Sequence, residues 1–465
     1  MTERDQALEA INSYFDDGQF EAELSRRIAY KTESNLAGCE EALTGYLEDE
    51  MIPYLEALGF ECSTYPNPRA DAGPFLVAHR NEGTNIPTIM TYGHGDVVAG
   101  YDEQWDNKMN PWQITKVDNR WYGRGTADNK GQHTINFAAL KTVLDKRGKL
   151  GFNVIVLIEM GEERGSPGLR DFCAANKHLF NADVFIASDG PRIHPNKPTI
   201  FMGSRGVFNF TMRLDVHDGG HHSGNWGGLL TNPGVVMAHA IASMIDRNGR
   251  ILVDGWRNTL IPNSVRAAIA KLEVGGGENA PTINPNWGEP DMTPGERVFA
   301  SNTFEIRAYE TGNPKSPANA IPPSAVAFGH LRYVVGTDVE QLMPLLREHL
   351  DRHGFNDINI IVERDPLRAT RLDPDHPWAL WAINSLNQTN GSTITVIPNL
   401  GGSLPNDVFA DVLGLPTIWV PHSYAGCSQH APNEHILVET TKNALRLMTG
   451  LWWDLGTGDT PYAIP

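Results

Sequence analysis

Three short apolar runs constrain this chain more than any other feature: PTIMTYGHGD (87–96), FNVIVLIEMGEE (152–163) and ADVFIASDG (182–190). Each is brief, rich in aliphatic residues and closed by turn-forming or acidic residues, the pattern of strands buried on both faces of a parallel sheet. Between the first two, HTINFAALKTVLDKRG (133–148) reads as a helix stopped by Gly148. Strand, helix and parallel strand demand a right-handed crossover, so the chain is expected to be α/β. Apolar residues at helical spacing over 20–32 and 40–58, among them Leu43, Tyr46, Leu47, Met51 and Tyr54, supply further cover.

From 206 onward the pattern changes. VFNFTMRLDV (207–216) alternates as a half-exposed strand, and PGVVMAHAIASMIDRNG (233–249) reads as a helix opened by proline and closed by glycine. After a Pro/Gly-rich stretch at 275–296, strands are expected at 301–309 and 324–336, a helix at 338–354 and a strand at 357–365. Pro344 must then sit near the helix start or kink it. Strand-helix-strand-strand-helix-strand is the ferredoxin-like split βαβ order. The expected organisation is therefore one α/β domain from 1–205 and 368–465, interrupted by a compact insert at 206–367. HPWALWAINSLNQ (376–388) reads as a helix of the outer domain, and TITVIPN and PTIWVPH as its further strands.

With 40% apolar and 20% charged residues in 465, the chain can bury a substantial core. Its net charge of −18 argues against non-specific nucleic-acid or anionic-membrane binding. No apolar run is long enough to span a bilayer, the start lacks the order of a signal peptide, and four cysteines form no CxxC pair. The expectation is a soluble, cytoplasmic protein without membrane or nucleic-acid partners.

The three apolar runs all end in chemistry. His94 and Asp96 follow the first, Glu162 and Glu163 the second, Asp189 the third, and Asp128 sits in the glycine-rich WYGRGTADNKG (121–131) before the helix. Ligands of open parallel sheets bind at the carboxyl ends of strands. Five carboxylates and a histidine on one rim repel one another unless a cation is bound. Mixed imidazole and carboxylate donors suit Zn²⁺, with Mn²⁺ or Co²⁺ as substitutes. Taken singly, each acid is as well read as a solvated loop residue; all of them at strand ends are not. In GRGTADNKG a carboxylate stands where a dinucleotide loop needs its third glycine, so pyrophosphate binding is rejected. GxxxxGK[ST], HExxH and GxSxG are absent.

In their order, GHGDVV (93–98), GRGTADNKG (123–131), EMGEERGSPG (159–168), ASDG (187–190) and QHAPNE (429–434) resemble the motifs of the co-catalytic di-zinc aminoacylases and peptidases. That family includes acetylornithine deacetylase, succinyl-diaminopimelate desuccinylase, glutamate carboxypeptidase and carnosinase-type dipeptidases. The resemblance implies a zinc-dependent exopeptidase-like parallel or mixed sheet flanked by helices, with a ferredoxin-like lid and dimerisation domain inserted. It implies two Zn²⁺ per chain, with Asp128 bridging, His94 and Asp189 completing one site and Glu163 and His430 the other. Asp96 would orient His94, and Glu162 would be general base on the water between the metals. Spacing alone leaves the reverse roles of Glu162 and Glu163 open.

GGHHSGNWGG (219–228) resembles the family's lid motif, which makes His222 the oxyanion donor, with His221 its competitor, acting in a homodimer on the partner's site. Arg205, Asn319, Arg332, Gly402 and Ser403 match positions that bind a substrate carboxylate. A surface-paired strand arginine is nearly as good a reading of Arg332. The implied activity is amide hydrolysis of an N-acyl amino acid, a dipeptide or a similar small carboxylate-bearing amide. Dipeptidase, carboxypeptidase and N-deacylase stay open, and the rival class is a non-catalytic metal-binding relative acting as a scaffold. Trp105, Trp112, Trp121 and Trp226 line a pocket or belong to the core. His79, His178, His239, His349 and His353 read as solvated, and His133, His194 and Cys427 have no assigned role.

Overall fold

The computed structural model describes residues 1–258, 260–270, 272–274, 281–363 and 366–462. Its frame is an eight-stranded mixed sheet in the spatial order Glu61–Tyr65, Phe75–Arg80, Asn153–Glu159, Thr88–His94, Val184–Ala187, Thr417–Trp419, Thr199–Phe201, Thr395–Ile397. The three predicted runs form its centre. Thr88–His94 pairs in parallel with both Asn153–Glu159 and Val184–Ala187. The crossover helix Lys130–Arg147 ends where expected, with Gly148 left-handed at φ 77°.

Side chains alternate across the central strands. Val154, Val156 and Ile158 join one apolar cluster, with Ile135 and Phe137 of the crossover helix, while Ile155 and Leu157 join a second on the opposite face. Three features escaped the sequence reading: the antiparallel strands Glu61–Tyr65 and Phe75–Arg80, the helix Glu3–Asp16, and the closing helix Val438–Leu455. The apolar face of that last helix, including Leu445, Met448 and Trp452, completes the first cluster.

A separate four-stranded antiparallel sheet has the order Thr303–Thr311, Ser324–Tyr333, Gly206–Asp215, Asn359–Val362. With helices Pro233–Met244 and Leu342–Arg352 it has ferredoxin-like connectivity and its own core around Phe210, Trp256 and Leu346. Pro344 falls in the first turn of its helix, where no backbone donor is lost. The expected helix 233–249 stops at Met244. Asp246 accepts from the backbone of Asn248 and Arg250, so a turn replaces the last helical residues. The strand expected at 357–365 covers Asn359–Val362, and residues 364–365, like 275–280 of the Pro/Gly-rich stretch, lie outside the described residues. Val265, Ile269 and Phe299, from the short helices Asn263–Ile269 and Pro294–Phe299, pack into the second cluster of the large sheet. Among the described residues, no helix is long and apolar enough to cross a membrane.

Candidate metal centre

The rim where the parallel strands end gathers the predicted acids. His94 is the last residue of its strand, Asp189 lies two residues past Ala187, and Glu162 and Glu163 occupy a single turn, Glu162–Arg164, after Glu159. Asp128 is brought in by the loop before the crossover helix. That loop can fold back tightly because Gly131 has no side chain: a Cβ there would lie 1.8 Å from the Thr126 carbonyl oxygen.

The result is two groups sharing one residue. His94, Asp128 and Asp189 each offer a donor atom within 4.8 Å of the others, and so do Asp128, Glu163 and His430. Asp128 points one oxygen at each group. Its Oδ1 is 3.1 Å from His94 Nε2 and its Oδ2 is 3.1 Å from His430 Nε2. His430 Nε2 lies 3.0 Å from Glu163 Oε2, and His94 Nε2 lies 3.6 Å from Asp189 Oδ2. Glu163, not Glu162, thus stands with His430.

Asp96 lies behind this layer. Its backbone carbonyl is 3.0 Å from His94 Nδ1 and its Oδ1 3.4 Å, which directs Nε2 to the cluster. The same carboxylate accepts from Ser34 Oγ and from the backbone of Glu162 and Glu163, tying the histidine to the acidic turn.

Glu434, which the sequence marks only as the last residue of QHAPNE, fixes the Asp128 loop. It is fully buried and accepts from the backbone N–H of Gly125, Ala127 and Asp128 and from the Arg124 guanidinium at 2.7 Å. Gln429 donates to Asp128 Oδ2, another contact the sequence did not flag. His430 itself adopts φ 60°, as do neighbouring Ser428 at 60° and Asn433 at 65°, so this loop is held in a conformation that costs free energy.

Other predicted residues lie further off. Arg205 and Arg332 meet: Arg332 donates to Ser403 Oγ, Ser403 Oγ donates to the Arg205 carbonyl, and Arg205 Nε donates to the Gly401 carbonyl beside Gly402. Asn319 does not join them. Its carbonyl accepts from Ser223, next to His222. His222 is exposed in a two-residue strand with His221, and its Nδ1 accepts from the Gly224 backbone. Trp105, Trp112 and Trp121 are core residues, whereas Trp226 is exposed beside His221. His349, expected to be solvated, is buried with its ring against Ser243 Oγ, because its helix face packs on Pro233–Met244. His133 is buried between Tyr46 and Asn129, and His194 caps its own turn through Asn196. Cys427 is buried, and burial pushes its thiol up to about 12.

The profile of peptidase family M20/M25/M40 matches residues 90–454. The chain belongs to this family. It is similar to the cysteinylglycine-S-conjugate dipeptidase of Corynebacterium striatum, 26% identical over 364 residues that cover 76% of each chain. The beta-Ala-His dipeptidase of Mus musculus is 33% identical over 192 residues, 41% of this chain and 39% of the relative. The fold matches that of the M20 metallo-carboxypeptidase Sso-CP2 of Sulfolobus solfataricus at a TM-score of 0.80 and 24% identity, covering 94% of this chain and 99% of that one. Like other M20 peptidases, the chain is a metal-dependent hydrolase of C–N bonds.

The site's charges fit divalent cations. Asp189 Oδ2 is buried without a hydrogen-bond donor, an arrangement that is costly unless a cation faces it. Burial alone would raise Asp128, but hydrogen bonds from His430 and His94 outweigh it and keep its carboxylate ionised. Burial and then that charge push Glu163 up to about 7 and Asp189 to about 6. Hydrogen bonds to Asp128 and Glu163 hold His430 at about 11. Near neutrality a proton therefore occupies His430 and, in part, Glu163, donors that a metal needs free.

Binding of Zn²⁺ should release protons, and its affinity should rise steadily from pH 6 to pH 8. Titration calorimetry in buffers of different ionisation enthalpy reads both; pH-independent binding would contradict the assignment. Replacing Glu434 by alanine strands the buried Arg124 charge and should cost about 3–5 kcal/mol in denaturant unfolding. A loss below about 1 kcal/mol would show that the Asp128 loop does not depend on it.

Proposed function

We propose that the chain is a dinuclear zinc dipeptidase that cleaves the amide of a small substrate bearing a free carboxylate. The observation that carries this reading is the single Asp128 carboxylate facing two separate donor groups, with Glu162 in the turn that holds Glu163. Divalent cations held there would polarise the amide carbonyl and lower the pKa of a bound water. Glu162 would take the proton of the attacking water and return it to the departing amine. Its burial, together with the charges of Asp189, Glu163 and Asp128, raises its proton affinity well above the usual carboxylate range, as a general base requires. Asp96 would keep His94 turned toward its group.

Arg205 and Arg332 supply the carboxylate site in this reading. Burial, then the neighbouring Arg332 charge, lowers Arg205 to about 9, so an anion relieves the repulsion between the two guanidiniums. The dipeptidase names of the C. striatum and mouse relatives favour dipeptides over N-acyl amino acids, which remain the second reading because both bear the carboxylate. His222 has no contact with the metal centre of its own chain. It and Asn319 would complete the site of a second copy, with residues 206–367 acting as lid and dimer domain.

Amine release from dipeptides and N-acyl amino acids, measured with Zn²⁺, Mn²⁺ or Co²⁺ and after chelation, tests the reading. Chelator-sensitive hydrolysis of dipeptides is expected, and Glu162→Gln should keep its metal and lose about 10²–10⁴-fold in kcat. Loss of metal in that variant would assign Glu162 as a ligand and Glu163 as the base. Mixing inactive Glu162→Gln and His222→Ala proteins should restore activity if the histidine acts across a dimer. Mixtures as inactive as their components would place it within one chain, and a fully active His222→Ala protein would place it outside the reaction.

A further inference from the structure

Glu159, the last residue of the central strand Asn153–Glu159, is a buried acid that belongs to neither donor group. Its Oε1 accepts two hydrogen bonds, from Tyr92 Oη at 2.6 Å and from Ser166 Oγ at 2.9 Å. Tyr92 precedes His94 by two residues in the neighbouring parallel strand, and Ser166 lies just past the turn that carries Glu162 and Glu163. The Glu159 carbonyl also accepts from the backbone of Gly95, between His94 and Asp96, at 2.9 Å. One residue thus touches the strand end that bears His94 and the far side of the acidic turn.

The turn's own hydrogen bonds close it on itself. Gly165 N–H donates to the Glu162 carbonyl at 2.7 Å, and Ser166 N–H to the Gly161 carbonyl at 3.0 Å. Bonds of this kind shape a turn without fixing its orientation on the sheet. The Asp96 carboxylate holds its start, through the N–H groups of Glu162 and Glu163. At its end Ser166 adopts φ 51°, a left-handed conformation that is costly for a residue with a Cβ and more so directly before a proline, here Pro167. A buried hydroxyl bonded to a buried acid offsets that cost.

We propose that Glu159 is a positioning residue for the hydrolysis: through Ser166 it fixes the orientation of the turn from which Glu162 reaches the attacking water. The inference rests on Glu162 as the base. Both donors converge on one oxygen of Glu159, so an amide oxygen can serve in its place. In the zinc-loaded protein Glu159→Met should lower kcat about tenfold to a hundredfold, with KM and metal content nearly unchanged. Glu159→Gln, which keeps the accepting oxygen, should recover most of that loss. Ser166→Ala cuts the same contact from the turn side, and adding it to Glu159→Met should lower kcat no further. Amide hydrogen exchange at Arg164, Gly165 and Ser166 should quicken in Glu159→Met and Ser166→Ala but not in Glu159→Gln, a readout independent of turnover. Should Glu159→Met fail to fold, Ser166→Ala decides alone. Unchanged kcat or exchange in Ser166→Ala, losses that multiply in the double variant, or a Glu159→Gln protein as impaired as Glu159→Met would overturn the proposal. Wild-type protein that hydrolyses no amide with metal present would instead overturn the function it builds on.

Discussion

Asp128 is a carboxylate with both oxygens committed, one toward His94 and the other toward His430, residues 336 positions apart in the chain (430 − 94). Two donor groups that share an anion need it placed to within a few tenths of an ångström. The protein achieves this through the backbone, not the side chain. Glu434 gathers three N–H groups of the Asp128 loop, Arg124 neutralises Glu434, and Gly131 lets the helix start press against Thr126. This buried ion pair serves position. Replaced by apolar residues it would leave the loop's N–H groups without acceptors.

The same carboxylate sets the electrostatics of the centre. Because two imidazoles donate to it, Asp128 stays charged, and that charge together with burial drives protons onto Glu163 and Asp189. Burial first, and then the acids crowded on the rim of the sheet, likewise raise the proton affinity of Glu162.

Much of this was legible in the sequence because it depends on local pattern. The three buried strands, the crossover helix and the ferredoxin-like order follow from short-range periodicity, and the gathering of His94, Glu162, Glu163 and Asp189 on one rim follows from their being at strand ends, whereas the choice of Glu163 over Glu162 as a ligand rested on resemblance. The contribution of Glu434 was not legible, since its partners lie more than 300 residues away and a buried acid in a loop looks like any solvated one. The antiparallel strand Glu61–Tyr65 is largely exposed and lacks an apolar signature. Helix Val438–Leu455 starts after Leu437 without a side-chain cap, so its opening carries no local signal. Grouping Asn319 with the arginines rested on resemblance alone, and the chain's own topology puts it with His222 instead.

Anomalous diffraction from zinc-soaked crystals, recorded at the zinc edge, bears most directly on the shared carboxylate. Two peaks of comparable height are predicted, one among His94, Asp128 and Asp189 and the other among Asp128, Glu163 and His430. A single peak, or two that do not both touch Asp128, would contradict the account.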